Sequence, residues 1–76
     1  MTKLARHLKN FYGGANFVRI VKDLQSGVSV STIAAYANVS RQRVYQWREK
    51  LGKEVTVWQP NEEIMEYVAA HNFFTK

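Results

Sequence analysis

The chain has 76 residues, a net charge of +5, no cysteine and a hydrophobic fraction of 46% that includes ten aromatics. A chain this short supports one small domain with a limited core, and without cysteine it has neither a disulfide staple nor a thiolate metal site. No apolar run approaches the ~20 residues of a membrane span, and Met1 to Leu4 lacks the apolar region of a signal peptide; the expectation is a soluble, cytoplasmic protein.

Leu4, Ala5, Leu8, Phe11 and Tyr12 recur at helical spacing and predict a short first helix. Gly13-Gly14 is expected to end it, since two residues without a Cβ make a turn cheap. A second helix is predicted from about Asn16 to Gln25. Phe17, Ile20, Val21 and Leu24 share its inner face, and Arg19, Lys22 and Asp23 face water. Ser26-Gly27 closes it, with Gly27 suited to a left-handed position.

The third helix follows Ser29, an N-cap residue type. Val30, Ile33, Ala34 and Ala37 stand at i, i+3, i+4 and i+7, one inward stripe. A tight turn at Ala37-Asn38-Val39 leads to Ser40, a second N-cap, and to a fourth helix whose inward stripe is Val44, Trp47 and Leu51. Gly52 is its natural stop. Val55, Val57 and Trp58 sit in a β-prone run, read as a short strand or an extended connection. Gln59-Pro60-Asn61 then opens a last helix, with Pro60 in the first turn and Glu62 and Glu63 complementing the positive end of the helix dipole. Ile64, Met65, Val68 and Ala69 supply its apolar face, and the end from Asn72 to Lys76 is expected to be ragged. The fold class is therefore all-α with room for one short β segment. It is a small helical bundle around a central helix-turn-helix, in which residues 1–76 form one domain and 54–76 a C-terminal packing or dimerisation extension.

The segment from Val30 to Glu49 holds the chemistry. It resembles the helix-turn-helix of bacterial and phage DNA-binding proteins, closest to the resolvase, transposase and small phage-regulator type with its I-A…V-S…V-Y-x-W run. The resemblance covers roughly a quarter of the chain. It implies a small residue where the helices cross, met by Ala34, and apolar residues that lock the second helix, met by Val39, Val44 and Trp47. The turn usually holds Gly; Asn38 stands here, a mild departure because Asn tolerates the left-handed conformation.

The residues support that reading independently. A helix in the major groove needs a polar, donor-rich outer face. With Val44, Trp47 and Leu51 inward, that face carries Arg41, Gln42, Tyr45 and Gln46, the candidate base-reading residues. Arg can pair with guanine O6 and N7, Gln with adenine N6 and N7, and Tyr45 can stack on a sugar or touch a thymine methyl. Ser31, Thr32, Tyr36, Ser40, Arg43, Arg48 and Lys50 are candidate phosphate contacts.

Charge is unevenly distributed. Met1 to Lys53 carries ten Lys/Arg against Asp23 and Glu49, a balance of +8; Glu54 to Lys76 carries Lys76 against four Glu, a balance of −3. A basic body fits a polyanion and an acidic end fits packing or a protein partner. Trp58, Ile64, Met65, Val68, Phe73 and Phe74 are candidates for a homodimer seam, although part of this apolar set also serves to complete the monomer core. His7 and His71 have no ligand partner at helical spacing, and His7 is grouped with Lys3, Arg6 and Lys9 on a basic helix face. No acid–base pair or phosphate-binding glycine loop is present, so no enzyme activity, metal, cofactor or small-molecule ligand is expected.

The leading expectation is sequence-specific binding of double-stranded DNA by a small phage, plasmid or bacterial transcriptional regulator, a repressor acting as a dimer. The alternatives are an accessory DNA-architectural or packaging factor, excisionase-like or small-terminase-like, and a protein-interaction module that does not read DNA.

Overall fold

The computed structural model describes residues 2–75, with side chains through Ala70. The elements in chain order are α1 (Lys3–Tyr12), α2 (Gly14–Gln25), α3 (Val30–Ala37), α4 (Arg41–Leu51), β1 (Gly52–Glu54), β2 (Trp58–Pro60) and α5 (Glu62–Thr75). The all-α class with one short β segment is what the structure has.

The helix boundaries follow from local chemistry. Thr2 caps α1 by accepting the Ala5 N–H at 3.2 Å. Gly13 alone makes the corner between α1 and α2, at φ 89°. Gly14 is thereby released to be the first residue of α2, two residues earlier than the periodicity predicted. The other end of α2 is closed by Gly27 at φ 79°, with the Val28 N–H returning to the Asp23 carbonyl at 3.0 Å. That bond is the outer link of a Schellman closure.

The central helix is α2. It packs against α1, α3, α5 and β2, and Phe17, Val18, Ile20, Val21 and Leu24 are all buried along it. Ile33 of α3, Val44 and Leu51 of α4 and Ile64 of α5 meet the same core. Each such burial contributes about 1.5–3 kcal/mol, and in a chain this short the supply of residues for a core is limited.

This shortage explains a correction. Trp58, Ile64 and Val68, three of the candidates for a dimer seam, are only 2%, 1% and 8% exposed within the single chain. They complete the monomer core and leave Met65 as the exposed member of that set among the described residues. The side chains of Phe73 and Phe74 lie outside the described residues.

The C-terminal third also differs from the predicted connection. β1 and β2 form an antiparallel hairpin with Gly52 opposite Pro60, Lys53 opposite Gln59 and Glu54 opposite Trp58. Of the β-prone run, only Trp58 is in a strand; Val55 and Val57 are exposed at the hairpin tip. Pro60 ends β2 instead of entering a helix, a place where its missing N–H is tolerated. α5 starts at Glu62, and Glu62 and Glu63 do occupy its first turn.

Candidate nucleic-acid interface

The pair α3–α4 is built by its caps and its turn. Ser29 Oγ accepts the Thr32 N–H at 3.2 Å and Ser40 Oγ accepts the Arg43 N–H at 3.1 Å. Between them Asn38 takes the left-handed conformation at φ 59°, ψ 48°. Its N–H and that of Val39 return to carbonyls of the last turn of α3. Ala34 is buried on α3, which packs on α4, and a small side chain at that position suits close approach of packed helices.

With Val44, Trp47 and Leu51 buried, α4 turns Arg41, Gln42, Tyr45 and Gln46 to solvent. Tyr45 is 54% exposed. Among the described residues, none of these four side chains takes part in a hydrogen bond or an ion pair. Ser40 and the backbone amides of Arg41 and Gln42 lie at the positive end of the helix dipole, where an anion is favoured.

The candidate phosphate contacts divide. Ser31, Thr32, Ser40, Arg43 and Lys50 are exposed, and Thr32 shares a 2.8 Å hydrogen bond with Ser29. Arg48 is ion-paired with Glu54 on the hairpin, so a phosphate would compete with that carboxylate for it. Tyr36 is a correction. Its hydroxyl donates to Asp23 Oδ2 at 2.8 Å, and the Arg19 guanidinium lies 4.1 Å from its ring centre. Burial, followed by the bond to Asp23 and that residue's negative charge, pushes the Tyr36 phenol above its ordinary pKa. A hydroxyl committed to a carboxylate is a poor phosphate donor.

Two grooves flank the exposed face of α4. One, of 670 Å³, lies against the hairpin and is lined by Gln42, Tyr45, Glu49, Lys53 and Trp58 among others. The second, of 300 Å³, lies against α1, with His7 and Phe11 facing Arg43 and Lys50. Lys9 is not on that side: its ammonium sits 5.5 Å from the Tyr67 ring centre on α5. Sequence reasoning missed the hairpin flank, since nothing in the order of residues brings Trp58 to the same groove as Gln42 and Tyr45 without the pairing of β1 and β2.

No protein-family model, curated protein or solved structure matches this chain. Among the described residues, no helix is long and apolar enough to cross a membrane.

Proposed function

We propose that this protein binds double-stranded DNA sequence-specifically, with α4 as the helix that enters the major groove, and that it acts as a small transcriptional regulator of the helix-turn-helix class. One observation carries this reading. Arg41, Gln42, Tyr45 and Gln46 form a donor-rich, unengaged face on a helix whose opposite face is fully buried. A purely solvated face would usually balance its charges; from Ser40 to Lys53 there are five cations and one acid, Glu49.

Roles divide by geometry. Arg41 and Gln42 occupy the first turn, the part of such a helix that goes deepest into the groove. Gln46 and Tyr45 follow one turn later on the same face. Arg43, Lys50 and the start of α4 hold phosphates and supply most of the salt-dependent affinity. One α4 reads only a few base pairs, so two copies on a palindromic site provide the remaining affinity. Val55, Val57 and Met65 are exposed apolar residues free for that contact.

The test is to select the preferred duplex from a random library and measure Arg41→Ala and Gln42→Ala on it. Both are expected to lose preference for the selected duplex over a scrambled one by about tenfold or more, from a loss of ~1–3 kcal/mol per bidentate contact. Unchanged binding by both variants contradicts the reading.

A further inference from the structure

Gln46 lines both grooves, so the exposed face of α4 is the ridge between them. The two flanks differ in charge. The hairpin flank includes Glu49 and Glu54 beside its cations. The α1 flank has no acidic residue: His7 and Phe11 form one wall, and Arg43 and Lys50 the other.

Phe11 is 71% exposed, the most exposed large hydrophobic side chain among the described residues. Its ring is nevertheless placed by its neighbours. It lies near-parallel to His7, 27° between planes and 6.0 Å between centres, and meets Tyr12 edge-on at 4.9 Å. Tyr12 in turn meets Trp47 edge-on at 6.0 Å and donates its hydroxyl to the Ala37 carbonyl at 2.9 Å. The exposed ring is thus tied, through Tyr12, to both helices of the α3–α4 pair. Core packing does not explain why an apolar ring stands in water beside a row of cations.

Resting on the reading of α4 as the base-reading helix, we infer that the α1–α4 groove seats the sugar–phosphate strand bordering the major groove. Arg43 and Lys50 meet its phosphates, and the His7–Phe11 pair lies against its deoxyribose. A nucleic-acid strand alternates anionic phosphates with apolar sugar faces, and the groove sets cations opposite an aromatic pair. The scale agrees. Packed helices lie about 8–10 Å apart and the major groove is about 12 Å wide. A helix packed beside one seated in the groove therefore lies over the bounding strand, out of reach of the bases. Contacts of this kind fix register and add affinity without selecting sequence.

The experiment uses the full chain and the selected and scrambled duplexes, with Phe11→Ser and His7→Glu placed on the exposed wall. Circular dichroism and melting confirm that each variant is folded. Each is expected to weaken both duplexes by a similar factor, about threefold to tenfold, leaving their ratio unchanged. Hydroxyl-radical protection of the strand beside the site is lost, and protection of the bases remains. Wild-type affinity in both variants overturns the seat while leaving the base-reading role of α4 intact. A loss confined to the selected duplex also overturns it, because it would mean that α1 reads bases. If the unaltered chain binds neither duplex, the seat and the underlying reading fall together.

Discussion

The indole Nε1 of Trp58 donates to the main-chain carbonyl oxygen of Arg48 at 2.8 Å. This bond joins the hairpin to the last turn of the candidate reading helix. The last four carbonyls of a helix have no partner within it. In α4 three of them find partners further along the chain: Arg48 from Trp58, Lys50 from Asn61 Nδ2 at 3.4 Å, and Leu51 from the Asn61 N–H at 2.8 Å. The hairpin and the start of α5 therefore finish α4.

Trp58→Phe keeps most of the buried ring and deletes the donor. Its expected cost is about 1–3 kcal/mol, the range for leaving an acceptor away from water unpaired. Trp58→Ala also opens a cavity and costs about 3–5 kcal/mol, a large part of the ~5–15 kcal/mol that holds a domain together. Urea unfolding of the two variants checks the order and the gap.

Gly52 is extended at φ −170°, a conformation open to any residue. Space is what restricts it. A Cβ there would meet the Gln59 carbonyl oxygen, the Trp58 ring at 2.7 Å and Pro60 Cα at 2.8 Å. Two of these are backbone atoms of the paired strand, which cannot rotate away. Gly52→Ala is expected to destabilise the chain by about 2–4 kcal/mol, read as a lower thermal midpoint.

Tyr36 and Asp23 link α3 to α2, and their bond requires the protonated phenol. The folded pKa of Tyr36 is raised above its unfolded value near 10. Its contribution is therefore fully present below about pH 10 and is lost as the pH rises through the folded value. Tyr36→Phe should lower stability near neutral pH by about 1 kcal/mol. Above about pH 10 the difference between wild type and variant should shrink. Urea titrations at pH 7 and above pH 10 measure both.

The helical part of the fold was legible where a boundary carries a local signal. Ser29, Ser40, Gly27 and Asn38 act within three or four residues of themselves, and the structure places each in the capping or left-handed role its chemistry suggests. The hairpin was not legible. Its strands are three residues each, and its tip, Val55-Thr56-Val57, lacks the Gly, Asn or Asp that marks a tight hairpin turn. The fate of Trp58 was equally hidden, since an apolar run looks the same whether it covers its own core or a second copy. The partner of Tyr36 lies 13 residues away on another helix, beyond any local pattern. The outward placement of Arg41, Gln42, Tyr45 and Gln46 was legible from the inward stripe alone.

The charge state of α4 separates two arginines that look alike in sequence. Arg43 is exposed with no ion pair among the described residues, and Arg48 is paired with Glu54. Arg43→Ala should weaken binding to all duplexes and reduce the slope of log affinity against log salt by about 1. Arg48→Ala should leave that slope nearly unchanged and, because the pair is solvent-exposed, alter stability by about 1 kcal/mol or less.

The most direct test of α4 as a base-reading helix is the affinity of the library-selected duplex and of a scrambled one, each at low and near-physiological salt. The account predicts that the selected duplex keeps a large advantage, about a thousandfold or more, at the higher salt. Equal affinities that fall together as salt rises would contradict it, because they would leave phosphate attraction as the only interaction.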